Sequence, residues 1–177
     1  SRENSIYLLD KQTLSLRRLA DVPGKRPWAG IEPLCIREDG QGRIWIATFY
    51  AGIYIFDKKG HFIRTLDTGN SALPSDKITS LLYDKDEDVM WVSMRDAGVC
   101  KLQPDKGQFR VLSHFFFDPQ SAESMKVNYA WPLYKDRKGN LWVGTLGGGL
   151  HLIHKVNGRE VITRHDAWLP ESNEETI

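Results

Sequence analysis

The sequence has no long apolar run, no large excess of either charge and only two cysteines. Each absence removes a class of protein. No stretch approaches the ~20 apolar residues a helix needs to cross a bilayer. The 24 Lys+Arg and 23 Asp+Glu leave a formal net charge of +1. That argues against a nucleic-acid partner, which needs a clustered basic surface. The densest basic stretches, Arg17-Arg18 and Lys25-Arg26, read as solvated surface. Cys35 and Cys100 occupy different positions in the chain's internal pattern and read as small buried apolar residues rather than a bridge. A signal-peptide pattern is missing, and the chain opens on Ser1 rather than Met, as expected of a segment from a longer protein. A leader or an anchor would then lie outside it. What remains is ordinary globular composition, 41% hydrophobic and 27% charged, enough for a sizeable core.

What is present is a repeat. Trp45, Trp91 and Trp142 each stand seven residues before a glycine, at Gly52, Gly98 and Gly149. The surrounding text is nearly the same three times: Ile44-Trp-Ile-Ala-Thr, Met90-Trp-Val-Ser-Met and Leu141-Trp-Val-Gly-Thr. The tryptophans are 46 and 51 residues apart, a period that signals a repeat architecture. Each unit divides into four strand-like segments, rich in β-branched and aromatic residues and separated by turn residues. They are expected at 32–38, 43–48, 52–57 and 60–66; at 77–83, 89–94, 98–103 and 108–113; and at 129–135, 141–145, 149–154 and 159–165. The first two segments of each unit are joined by a turn opened by Asp39, Asp84 or Asp136. Asp bonds the backbone two residues on and Gly supplies positive φ, so these are hairpin turns. The second copy has one extra residue there and no glycine.

The Trp segment is apolar on both faces, as in a sheet that is itself covered on both sides. Four antiparallel strands per ~45 to 50 residues, stacked face to face, describe a β-propeller blade. The tryptophans are then architecture rather than a binding box. Ile6-Tyr-Leu-Leu-Asp-Lys matches Ile53-Tyr-Ile-Phe-Asp-Lys, so the chain opens with the outer half of a blade. The fold expected is all-β: a partial propeller of four-stranded antiparallel blades, one half-blade plus three blades. The half-blade takes 1–20, blades take 21–66 and 67–113, a blade with a long leading linker takes 114–165, and 166–177 is the linker to a missing next blade. Unclosed blades leave an apolar face bare, so self-association of this segment, or burial against the rest of a parent propeller, is expected.

The third unit, Leu133-Tyr-Lys-Asp-Arg-Lys-Gly-Asn-Leu-Trp-Val-Gly-Thr-Leu-Gly-Gly-Gly-Leu, resembles the two-component regulator propeller repeat. That family's pattern is an apolar residue, two positions, Asp, a Gly turn, Leu-Trp-Ile-Gly-Thr and Gly-Gly-Leu. The first unit departs from it at Ala47 and at Phe49-Tyr50-Ala51. The second departs most, with Asp88 for Gly and Met94 for Thr. The resemblance implies the extracytoplasmic sensor of a hybrid two-component histidine kinase, as in gut Bacteroidetes, usually sensing oligosaccharides. It implies a periplasmic position and a parent anchored in the inner membrane, with no membrane contact by this piece. No kinase machinery is written in this segment, so the piece itself is expected to catalyse nothing and to hold no cofactor.

Metal and catalytic patterns are thin. His151 and His154 form an H-x-x-H, but on a strand i and i+3 face opposite ways. Asp84, Asp86 and Asp88 look like an EF-hand start, yet the loop lacks Gly at its sixth position and Arg95 stands where a bidentate Glu is required. No metal site is expected. No nucleophile elbow is present, and the five histidines fall at unrelated repeat positions.

Binding remains. In a propeller, the linkers between blades and the turns between second and third strands emerge on one face. The residues that break the repeat there are Arg26 and Trp28 before the first blade, Phe49 and Tyr50 in its inner turn, and Arg95 and Asp96 in the next. Asn128, Tyr129 and Trp131 lead into the third. Aromatic faces beside amide and guanidinium donors suit a sugar's C–H faces and hydroxyls. Phe115-Phe116-Phe117 in the long linker cannot all enter one core, so at least one is expected at the surface. Two alternatives stay open: a propeller lyase or glycosidase, which needs acids and histidines gathered on one face, and a protein-interaction propeller without a small ligand.

Overall fold

The computed structural model describes residues 6–19, 32–105 and 108–165, and these form strands and turns with no helix. A hairpin of β1 (Tyr7–Leu9) and β2 (Leu16–Arg18) comes first. The first four-stranded sheet follows, of β3 (Pro33–Glu38), β4 (Ile44–Thr48), β5 (Ile53–Phe56) and β6 (Phe62–Leu66). The second holds β7 (Ile78–Asp84), β8 (Val89–Met94), β9 (Val99–Asp105) and β10 (Gln108–Phe115). The third holds β11 (Ala130–Lys135), β12 (Leu141–Thr145), β13 (Gly149–Val156) and β14 (Arg159–His165). Every sheet is antiparallel with its strands in chain order. All lie within two residues of the expected segments. β7 packs between β3 and β11, so the first strands of successive sheets are neighbours, as inner strands around an axis are. This is the partial propeller expected from the repeat. Residues 1–5, 20–31 and 166–177, with the ends of the half-blade and the following linker, lie outside the described residues.

The turns form for the reason the sequence predicts. Asp39 Oδ1 accepts from Gln41 N at 3.0 Å, Asp84 Oδ1 from Asp86 N at 3.0 Å, and Asp136 Oδ1 from Lys138 N at 2.8 Å. Asp88, which stands where the other copies have glycine, adopts φ 51°, a left-handed conformation that Asp tolerates better than most residues. At the opposite strand ends, Gly52 and Gly98 each have φ 70°. A Cβ at either would sit 2.1 Å from a carbonyl oxygen, that of Leu66 or Phe115. Only glycine fits there. Each donates its N–H across to the linker that starts the next sheet, Gly52 to Asp76 O and Gly98 to Asn128 O, both at 2.9 Å.

Strand alternation then sorts the core. Trp45, Ala47, Ile53, Ile55 and Leu66 leave the first sheet on its Trp face and meet Leu81, Met90, Val92, Met94 and Cys100 of the second. Trp91 and Val99 leave the second sheet on its Trp face and meet Leu141, Val143, Ile153 and Ile162 of the third. The other face of the first sheet, with Ile46, Tyr54 and Phe56, is closed by Leu19, Ile6 and Leu8 from the opening hairpin. Trp45 and Trp91 are fully or almost fully buried. Trp142 is only half-buried, because no further sheet among the described residues covers its face. Cys100 is buried, its thiol pushed up to about 12 by that burial, and both cysteines are free.

Candidate functional site

The turns after the second strands and the linkers before the first strands share one end of the stack, held by one repeated backbone bond. Phe49 N donates to Glu32 O, Arg95 N to Lys77 O and Leu146 N to Tyr129 O. Phe49, Arg95 and Leu146 are therefore the same position in three sheets. Stacking of the sheets sets these positions side by side.

Five residues singled out from the sequence meet here. The Arg95 guanidinium lies 5.3 Å from the centroid of the Phe49 ring and 5.6 Å from that of Tyr129, so it bridges the first sheet's turn and the linker into the third. Arg95 Nη1 donates to the Tyr50 hydroxyl at 3.3 Å. Phe49 and Tyr50 meet edge to face at 4.5 Å, and Tyr129 stacks on Trp131 at 6.0 Å with their planes 19° apart. Tyr50 is 61% exposed and Trp131 44%, and Arg95 is exposed. The result is a strip of aromatic faces around one cation, open to solvent, able to stack on a ring and donate to its oxygens.

Trp131 is set by a bulge in β11 between Ala130 and Leu133. The carbonyls of Ala130 and Trp131 leave the ladder and accept from the second sheet, from Thr79 Oγ1 at 2.6 Å and Ser93 Oγ at 2.8 Å.

The remaining candidates are placed otherwise. Asp96 turns to Ser75 Oγ at 2.6 Å and Lys77 Nζ at 2.5 Å. Partial burial raises its pKa, but Lys77 and Ser75 outweigh that and hold the carboxyl below its ordinary value. Asn128 uses its side-chain oxygen on Phe117 N at 2.7 Å and its backbone oxygen on Gly98 N, pinning the long linker. Arg26 and Trp28 lie outside the described residues. Of the three phenylalanines, Phe115 packs into the core while Phe116 and Phe117 are exposed.

The acidic turn is occupied by side chains of the protein itself. Lys135 Nζ lies 2.5 Å from Asp84 Oδ1 and 2.8 Å from Asp86 Oδ2, and Asp88 accepts from Tyr83 OH at 2.7 Å. His151 is buried with Nε2 accepting from Lys126 N at 3.0 Å, and His154 faces the other side of β13. Among the described residues no three His, Cys, Asp or Glu side chains converge as a metal would require. No helix there is long and apolar enough to cross a membrane.

One charged site escaped the sequence reading. Lys101 pairs across strands with Trp91, at the place where Ile55 faces Trp45 and Leu152 faces Trp142. Its ammonium is almost wholly buried, 5.3 Å from the Trp91 ring centroid, and bonds Glu87 at 2.5 Å and also Glu160. Burial pulls its pKa down, but the two glutamates more than reverse this and hold it above its ordinary value. Aligning the three repeats shows a lysine at an apolar position, and that was the available signal. Trp91, Glu87 and Glu160 line a cleft of about 380 Å³ between the second and third sheets. A wider groove of about 860 Å³, lined by Trp131, Pro132, Gly144, Leu146 and Leu150, lies on the Trp face of the third sheet. In the two preceding sheets that face is covered by the next one.

The two-component regulator propeller family model matches residues 30–50 and 124–147, the first and third repeats, and not the divergent second. Among solved structures, the extracellular domain of a hybrid two-component system from B. thetaiotaomicron superposes with a TM-score of 0.64 and 23% identity, over 93% of this chain and 22% of that one. A second such domain from the same organism gives 0.62 and 22%, over 75% of this chain and 18% of the other. A protein of unknown function from Bacteroides caccae gives 0.55 and 16%, over 93% and 55%. The chain thus spans about a fifth of the length of the first two and about half of the third. No curated protein sequence matches it. Residues 30–50 and 124–147 thus resemble two-component regulator propeller repeats, and the fold is similar to that of the extracellular domains of hybrid two-component systems.

Proposed function

We propose that this chain is part of the extracytoplasmic propeller of a hybrid two-component sensor, in which an oligosaccharide docks on the open end of the blades and the signal passes to a histidine kinase elsewhere in the parent. The family match and the extracellular character of the similar structures support the sensor class and a periplasmic position. The observation that carries the ligand class is the exposed strip of Phe49, Tyr50, Arg95, Tyr129 and Trp131, drawn from three sheets. A sugar ring stacks its C–H face on such aromatics while a guanidinium donates to its oxygens. This piece contributes binding and no chemistry. In this reading the bare face around Trp142 belongs against the next blade of the parent propeller, while Trp131, the second residue of β11, stays at the open end.

Calorimetric titration of the chain with a panel of plant and host oligosaccharides tests the reading. Binding is expected for at least one, weakened about fivefold or more by Tyr50→Ala or Trp131→Ala, since one stacking ring contributes on the order of 1 kcal/mol or more. Silence across the panel would favour a protein-interaction scaffold, for which exposed Phe116 and Phe117 are the surface to probe.

A further inference from the structure

We infer that the ligand of this site is an acidic sugar, and that Arg95 is the residue that pairs with its carboxylate or sulfate. The inference rests on the sugar-binding reading above and sharpens it.

The Arg95 side chain is exposed at the centre of the strip, and its one hydrogen bond among the described residues goes to a neutral hydroxyl, that of Tyr50. Its flanks are the rings of Phe49 and Tyr129. The adjacent carboxylate, Asp96, is taken by Lys77 and Ser75, so that negative charge is already matched. Several cations among the described residues are matched by acids, Arg43 with Asp39, Lys135 with Asp84 and Asp86, and Lys101 with Glu87 and Glu160, while Arg37, Arg110 and Arg164 bond neutral oxygens. Arg95 instead lies exposed between two rings, those of Phe49 and Tyr129.

Geometry gives the preference for an oxyanion. A guanidinium is planar, and rings near it restrict the directions in which its free N–H edge can aim. A pre-oriented fork matches the two oxygens of a carboxylate or two of a sulfate, which is how Arg differs from Lys. The position itself breaks the repeat: its equivalents in the neighbouring sheets are the apolar Phe49 and Leu146. A uronate or sulfated sugar would stack on Trp131 and Tyr129 while its acid meets Arg95. Carboxylate and sulfate share this chemistry.

Matched pairs decide it. The 177-residue chain is titrated with uronic-acid oligosaccharides and their methyl esters, and with sulfated oligosaccharides and their desulfated forms. The acidic member of a pair is expected to bind at least about tenfold more tightly, with the preference shrinking as salt rises. Arg95→Gln, checked for a native circular dichroism spectrum, should bring the acidic member down to its neutral partner. Arg95→Lys, which keeps the charge and loses the fork, should recover only part. Preference for one pair type tells carboxylate from sulfate. Equal binding of neutral and acidic members, or an acidic preference insensitive to salt and to Arg95, would overturn the inference and leave the sugar reading standing. Binding of no member of any pair would overturn both.

Discussion

The indole Nε1 of Trp45 donates to Asp39 Oδ2 at 2.7 Å, so the residue that opens the turn also anchors the residue that fills the interface. The third repeat copies this, with Trp142 Nε1 bonding Asp136 Oδ2 at 3.1 Å. In both the two residues are six positions apart. In the second repeat the longer turn makes the spacing seven, and Asp84 holds Lys135 of the next sheet instead. A buried indole N–H needs an acceptor, and the turn carboxylate supplies one at no extra ordering of the chain.

Asp39→Ala removes that acceptor together with the bonds to Gln41 N, Arg43 N and Arg43 Nε. The expected loss is about 2–4 kcal/mol, because a buried donor is left unmatched as the turn loosens. Urea unfolding followed by tryptophan fluorescence reads it. A change under about 0.5 kcal/mol would reduce the Asp–Trp pair to an incidental contact.

Trp45 and Trp142 occupy the same repeat position with different cover. Trp45→Ala should cost about 3–5 kcal/mol, the usual range for an aromatic removed from a packed core. Trp142→Ala should cost less than about half of that, since one side of its ring is bare. Equal losses in thermal melts of the two variants would contradict the stacking order described above.

Gly98→Ala combines positive φ with a methyl placed 2.1 Å from Phe115 O. It is expected to cost about 2–4 kcal/mol or to prevent folding. Gly147→Ala is the control, because its φ of 85° is equally left-handed but nothing lies within 4 Å of the new methyl. It should cost only about 1 kcal/mol, from the backbone alone. Similar losses would show that backbone strain, and not the strand-end carbonyl, explains the glycine.

Asp136 supplies a pH signature. Bonds from the Asn140 side chain, then from Asn140 N, Trp142 Nε1 and Lys138 N, lower its pKa from 3.8 to about 2, against a smaller opposing effect of desolvation. The folded value is the depressed one. Its contribution is therefore fully present above about 3.8 and disappears as pH falls through about 2. Asp136→Asn should flatten the stability profile in that window and leave its shape above pH 5 unchanged. An unaltered acid limb in urea titrations from about pH 2 to pH 5 would remove Asp136 from the account.

Much of the blade architecture was legible because it is local. Trp-to-Gly spacing, Asp-opened turns and alternation within each strand depend on residues a few positions apart, and a repeated unit states them three times over. The Asp–Trp bond was hidden in plain spacing, since a six-residue gap says nothing until the hairpin brings the carboxylate beside the indole. Lys101 was hidden by its type: a lysine looks solvated until Glu87 and Glu160, from different strands, close over it.

The sequence alone determined that four-stranded sheets would form, where each turn would fall and which face of each strand would be apolar, for these follow from backbone periods and turn chemistry. The folded stack brings Phe49, Arg95 and Tyr129 together while Asp96 and Asn128 turn to other partners. That outcome depends on the rotation and offset between stacked sheets, which bring together residues one repeat apart along the chain. No local pattern encodes such an angle, because it is set by how whole apolar faces interlock.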